Sequence, residues 1–205
     1  MSIRLSSGIK FYFDAMCPNS FTGFQLLQKS NLEYIEFKPI IRRKLFSKTG
    51  RMESLLIPSS YYRNLEDFRR DHGLLPTSLQ CVDHRSYGVG KATLFLTSIN
   101  RHHPHLAHNA VQEVFARFWI DGANIDRAPS FMTVCRKIGL TFAESDELVS
   151  KLEERLNVDA MNAYLHDALE AQHLDTPCTE LYNDVNEKVQ TITELKILAD
   201  ELRSI

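Results

Sequence analysis

The sequence predicts an α/β protein whose small sheet is interrupted by a long all-helical stretch. Three observations carry that expectation. About forty residues near the start read as strand, helix, strand, the size of a βαβ unit. From about Glu53 to His173 the strand signals vanish and apolar residues recur at helical spacing. A β-hairpin and one last helix then close the chain.

In order along the chain, the largely apolar run from Ile9 to Phe13 is a candidate central strand. A helix follows over Pro18 to Lys29, with Phe21, Phe24 and a leucine at 26 or 27 on one side. Leu32 to Ile40 alternates as a strand and ends at Pro39. Arg42, Arg43 and Lys44 read as a solvated basic loop, or as a charge that draws a carboxylate-bearing ligand to a site nearby. Leu65, Phe68 and Arg69 lie on a short helix stopped at His72-Gly73. Ala92 to Ile99 is an apolar helix, and Ala107, Val111, Val114, Phe115 and Phe118 keep the same period with Trp119 adjacent. Phe131, Val134, Cys135 and Ile138 repeat it, which puts Cys135 on a core stripe. Thr141 with Glu144 forms a capping box ahead of Leu148, Leu152 and Leu156. A further helix spans about Val158 to Ala171.

Thr179 to Tyr182 and Lys188 to Ile192 form the hairpin, turning at Asn183-Asp184. Thr193-Glu194 opens the last helix, which carries Leu195, Leu198 and Leu202. The order βαβ, helices, ββα is that of a thioredoxin fold interrupted by an all-helical insertion. Residues 1–52 and 174–205 are expected as its two halves, with 53–173 as the insertion.

Composition narrows the function classes. A 43% hydrophobic content with 24% charged residues suits an ordinary globular protein, and a net charge of −2 argues against a nucleic-acid partner. No apolar run approaches the roughly eighteen residues of a membrane span. Cys17, Cys81, Cys135 and Cys178 lack metal-ligand or CxxC spacing, so free thiols in a reducing compartment are expected. The N-terminus has no apolar signal core, so secretion is not expected, and the C-terminal Arg203-Ser204-Ile205 is not a peroxisomal address. His102, His103, His105 and His108 read as a polar helix junction. A zinc or copper site is the alternative, although Pro104 breaks the run and no carboxylate set accompanies it.

The residue with chemical promise is Cys17. It stands between a strand and a helix opened by Pro18, where free N–H groups and the helix dipole favour an anion and predict a lowered thiol pKa. A small packing residue is the alternative for any free cysteine.

FYFDAMCPNSFTGF, residues 11–24, resembles the first strand and active-site loop of kappa-class glutathione transferases. The resemblance extends through LTSINRHHPHLAHNAVQEVFARFWIDGANID and the Thr176-Pro177 loop to the last helix, nearly the full chain. It also touches two related groups with the same inserted-helix architecture, the bacterial disulfide oxidoreductases and the hydroxychromene-carboxylate isomerases. It implies a thioredoxin fold and conjugation or reduction of small electrophiles or peroxides by glutathione, a co-substrate, with no cofactor or metal. A homodimer is implied, in mitochondria or peroxisomes, with a cytoplasmic location as the alternative.

The resemblance implies a catalytic serine at the position of Cys17, whose hydroxyl stabilises the glutathione thiolate. Here cysteine replaces it. Ser20 stands where the disulfide oxidoreductases carry their second cysteine, so Cys17-Pro18-Asn19-Ser20 can form a mixed disulfide and cannot resolve it internally. Because S–H is a weak donor, a glutathione-linked thiol–disulfide oxidoreductase or isomerase with Cys17 as nucleophile is the alternative activity, and an inactive binding homologue is a third. Pro177 resembles the family's cis-proline, which makes Thr176 the residue whose backbone pairs with the glutathione cysteinyl unit. Thr193 and Glu194 match the pair that holds the γ-glutamyl group, or simply cap and charge a helix. Asp175 replaces a family glycine, and the loop after Arg42 is short and lacks the family's glutathione-contacting lysine. Cys178 is expected in the strand core, with pairing to Cys17 as the alternative.

Overall fold

The computed structural model describes residues 8–30, 32, 34–55, 59–78, 89–183 and 185–203. Cys81 and the hairpin residue Asp184 lie outside them.

Strands β1 (Gly8–Phe13), β2 (Ile35–Pro39), β3 (Cys178–Tyr182) and β4 (Lys188–Ile192) form one sheet in the spatial order β2-β1-β3-β4. β1 runs parallel to β2 and antiparallel to β3, and β4 is antiparallel to β3. The first half of the chain supplies the parallel pair and the end supplies the hairpin. As an inner strand, β1 buries side chains on both faces. Ile9, Phe11 and Phe13 enter the main core, while Tyr12 joins Cys178, Ile40, Leu45 and Leu165 on the other side.

Helix α1 (Pro18–Lys29) starts with Pro18, whose missing N–H costs nothing in the first turn. Next come α2 (Arg42–Thr49) and α3 (Ser59–Asp71), then α4 (Val89–His102), α5 (Ala107–Phe115), α6 (Ala128–Lys137), α7 (Phe142–Ser150) and α8 (Arg155–Glu170), with α9 (Leu195–Arg203) at the end. The expected basic loop at Arg42 to Lys44 is therefore a correction: these residues open α2. Arg43 and Lys44 are exposed, but Arg42 is not a solvated residue. The α7 capping box forms as read, with Thr141 and Glu144 each bonding the other's backbone N–H. Leu156 departs from its stripe and is exposed on α8, because α7 stops at Ser150 and the chain turns before α8 begins.

An aromatic column joins the sheet to the helices. Phe115 of α5 lies 5.5 Å from Phe13, 5.5 Å from Phe21 and 5.3 Å from Phe24, and Phe21 stacks at 6.2 Å on Trp119 in a π-helical turn after α5. Each fully buried ring contributes about 2–3 kcal/mol of apolar burial, so this column holds the α1 elbow against the inserted helices. Of the expected histidine junction, His102 ends α4 and His108 packs its ring on Phe24 and Phe37 at 5.5 and 5.8 Å. Cys135 is fully buried on α6 and its thiol is pushed up to about 11 by that burial.

Candidate active site

Open α/β sheets place their sites at the carboxyl ends of the parallel strands. Here β1 runs into Asp14 to Cys17 and β2 runs into Ile40 to Arg42. Asp14 is buried and ties these two ends together: its carboxylate accepts Met16 N–H at 2.8 Å and Arg42 N–H at 2.7 Å. The second bond caps α2 from 28 residues away, which matters because Ile41 at its N-cap has no side-chain oxygen to do so. Burial raises the Asp14 pKa, and the backbone donors of Met16 and Arg42 oppose it.

Cys17 is the N-cap of α1 and is 3% exposed. Its S–H donates to the carbonyl of Thr176 at 3.3 Å, and the Thr176-Pro177 peptide bond is cis. The structure thus brings together two of the expected site residues, 159 positions apart. The lowered thiol pKa expected at the helix N-terminus is corrected: burial pushes the Cys17 thiol up. Removing a thiolate from water outweighs the favourable end of the helix here. Arg42 opposes the rise, Asp175 adds to it, and the hydroxyls of Thr176 and Ser20 pull downward. Thr176 Oγ1 is buried without a well-aligned partner among the described residues, so it is a donor in reserve beside the sulfur.

Arg42 acts on this sulfur from α2 through its charge. Its Nε and Nη2 make a fork to Asp175 at 2.6 and 2.9 Å, and its guanidinium lies 4.6 Å over the Phe46 ring. Burial works against its charge, yet Cys17, Asp175 and Asp14 together hold it firmly protonated. From α3, Tyr61 and Tyr62 face the same field, their rings edge to face at 6.1 Å. Burial and the neighbouring Cys17 push the Tyr61 phenol up to about 12, against a hydrogen bond with Asn19. Asn19 Oδ1 is buried with no hydrogen-bond partner among the described residues.

Thr193 and Glu194 lie elsewhere on the same framework. Both are exposed, and neither bonds Cys17, Thr176 or Arg42 among the described residues. The first helical bond of α9 runs from Leu198 N–H to the Glu194 carbonyl, so Glu194 rather than Thr193 occupies the cap, one residue later than expected. Gly23 of α1 links this end to the rest. A Cβ there would stand 3.3 Å from the Pro177 ring, 3.4 Å from Phe11 and 3.5 Å from Leu195, so glycine leaves room for the cis-proline and the start of α9 to close on one helix, and a larger residue would push the proline ring aside.

Cys178 is buried in the strand core, as read, and is a free thiol. Its sulfur lies 3.2 Å from His173 Nδ1. His173 Nε2 sits 3.2 Å from Glu180 Oε1, too far off line for a straight hydrogen bond. Against the cost of its burial, interactions with His173, Tyr182 and Lys188 hold Glu180 down to about 2. Burial and Glu180 drive the Cys178 thiol up to about 12, so it is an inert anchor for the loop that carries Asp175 and Thr176. Sequence reading missed Asp14, Tyr61 and this cluster, and held Arg42 at the site only as the alternative to a solvated loop. Arg42 alone had a usable signal, since it follows Ile40-Ile41 at the carboxyl end of a parallel strand.

Among curated proteins, the chain is 23% identical over 159 residues to glutathione S-transferase kappa 1 of Caenorhabditis elegans, covering 73% of this chain and 70% of that one. Its fold is similar to that of a 2-hydroxychromene-2-carboxylate isomerase, with a TM-score of 0.69 at 18% identity over 96% of this chain and 95% of the other. It is also similar to the cytosolic disulfide reductase DsbM of Pseudomonas aeruginosa, with a TM-score of 0.63 at 11% identity over 96% and 95% of the two chains. The sequence model of the DSBA-like thioredoxin domain matches residues 8–175, most of the chain and all of the elbow around Cys17. With the strand order and the cis-proline loop in place, this chain belongs to the DSBA-like thioredoxin domain family.

Proposed function

We propose that this protein is a kappa-like glutathione transferase that conjugates or reduces small electrophiles or peroxides with glutathione. The observation that carries the reading is the position of Cys17 Sγ, 3.3 Å from the carbonyl of the residue that precedes a cis-proline. A thiol tripeptide laid in extended form along Thr176 brings its own sulfur to Cys17, as an added strand would. Burial keeps Cys17 as neutral S–H, which suits a donor to a neighbouring sulfur anion better than a nucleophile. Arg42 adds positive charge on the same side. The glutathione thiol loses its proton to solvent, and the thiolate forms a carbon–sulfur bond as the leaving group departs with its electron pair. With a peroxide, the thiolate takes one oxygen to give a sulfenic acid and an alcohol, and a second glutathione converts that acid to disulfide and water. At the start of α9, Thr193 and Glu194 meet the γ-glutamyl group, the carboxylate facing its ammonium. The likeness to a kappa-class transferase over 70% of that protein supports the assignment. On the resemblance to that class we also infer a homodimer, acting in mitochondria or peroxisomes.

One observation favours a second reading, thiol–disulfide exchange with Cys17 as nucleophile. Residue 17 is a cysteine, and Ser20, one turn on, bonds the Asp14 N–H at 3.2 Å and offers no second sulfur. Glutathione conjugation of an aryl halide separates the two. Under the transferase reading Cys17→Ser retains or gains activity while Cys17→Ala loses it. Loss in both assigns the nucleophile to Cys17, and no calorimetric binding of glutathione to the wild type sinks both readings.

A further inference from the structure

The main-chain groups that an extended ligand needs at Thr176 are both engaged within the chain. Thr176 N–H donates to Asp175 Oδ1 at 2.6 Å, and the Thr176 carbonyl accepts Cys17 S–H at 3.3 Å. The same Asp175 carboxylate takes the fork of Arg42 at 2.6 and 2.9 Å. One acidic side chain therefore occupies the donor beside the sulfur and the cation beside the sulfur at once. The Asp175 side chain is 34% exposed and that of Arg42 12%, so this arrangement is reachable from solvent.

We propose that Asp175 is the specificity-determining residue of this site, a clasp that a peptide-like thiol opens by placing its own carboxylate on Arg42 in exchange. The proposal rests on the glutathione reading above. A charge-assisted bond from Thr176 N–H to a carboxylate is strong, so a ligand that pairs with this N–H must displace it. A thiol without a carboxylate offers Arg42 nothing in return and leaves the clasp shut. A thiol tripeptide with a free C-terminal carboxylate replaces one anion by another on the guanidinium, and the N–H is released for main-chain pairing. The carbonyl half opens separately. Once Cys17 turns its S–H from this carbonyl to the glutathione sulfur, the Thr176 carbonyl becomes free to accept a ligand N–H. With Asp175 turned away, Arg42 stands without its counter-anion and favours negative charge at this point, which the bound glutathione sulfur carries.

Two substitutions divide the clasp into its parts. Asp175→Asn keeps an oxygen that can accept Thr176 N–H but loses the charge on Arg42, and Asp175→Ala releases both. Glutathione affinity by calorimetry and the pH profile of Cys17 alkylation, followed by peptide mass spectrometry, are measured on wild type and both variants. We expect Asp175→Ala to bind glutathione about tenfold tighter than wild type, with Asp175→Asn between them, and alkylation to move to lower pH in both. Wild type should also bind glutathione about tenfold tighter than glutathione amidated at its glycyl carboxylate; equal affinities overturn the exchange at Arg42. Equal gains in Asn and Ala overturn the block on the N–H. Unchanged affinity with an unshifted alkylation profile overturns the clasp and leaves the glutathione reading standing. A shifted profile with no glutathione binding by any of the three proteins removes the glutathione reading and supports control of Cys17 by Asp175.

Discussion

The thiol of Cys17 and the carbonyl of Thr176 meet at 3.3 Å across 159 residues of sequence, so the two halves of the sheet share one reactive point. Burial of the thiol at that point sets the direction in which it responds to pH.

Burial raises the folded-state pKa of Cys17 above its ordinary value of 9.0. The folded state therefore holds this proton more tightly than the unfolded chain does. Its stabilising contribution is complete below about pH 9 and is lost as pH rises through the higher folded value. Denaturant midpoints of wild type and Cys17→Ser, measured from pH 7 upward, should diverge above pH 9, with wild type falling faster. Parallel curves would show that the thiol is not held in its neutral form.

Arg42 opposes that burial and forks onto Asp175. Lysine cannot reproduce the fork, so Arg42→Lys should cost about 1–3 kcal/mol in chemical denaturation and move Cys17 alkylation to higher pH. The shift is opposite in sign to that expected for Asp175→Ala. An unchanged profile would mean that the guanidinium does not govern the sulfur.

Glu180 is held down to about 2 from an ordinary 4.5 by its surroundings, after the cost of its own burial. A depressed carboxylate stabilises the fold above its unfolded pKa and loses that contribution as pH falls through the folded one. Wild type should exceed Glu180→Gln in stability by about 2–3 kcal/mol at pH 7, with the gap closing between pH 4.5 and pH 2. A gap that stays constant across that range would place the loss in packing instead.

Arg69 is fully buried on α3. It donates to Thr22 Oγ1 at 2.9 Å, to Gln25 Oε1 at 3.1 Å and to the Leu75 carbonyl, and lies 4.6 Å over the Phe21 ring. It clamps the inserted helices to α1, the helix that begins at Cys17. Arg69→Met leaves two buried acceptors and the part-buried Leu75 carbonyl without this donor and should cost about 3 kcal/mol in a urea titration. A loss below about 0.5 kcal/mol would assign the clamp to packing alone.

What could be read from the sequence follows how local each cause is. Helix α1 was visible because Pro18 fixes its start and Phe21, Phe24 and Leu27 repeat along it. The capping box at Thr141 and the left-handed Gly73 are likewise local chemistry. Helix α2 was not visible: its eight residues carry only Leu45 and Phe46 for the core, and its cap is an aspartate on another strand end. The sign of the Cys17 shift failed for the same reason, since a helix N-terminus is local and burial is tertiary. Thr176 was found through family resemblance. No spacing rule could have joined His173 to Glu180 or Arg42 to Asp175, because each pair forms only when the loop after α8 folds back.

The single tryptophan of the chain stands at this elbow. Trp119 donates its indole N–H to the Ala15 carbonyl at 3.0 Å, two residues ahead of Cys17, while its ring lies parallel to Phe21 on α1. The molecule thus carries its own optical probe. A ligand or oxidant that displaces the segment between β1 and α1 alters the hydrogen bond on the only indole, and the change is read directly as fluorescence without any label attached.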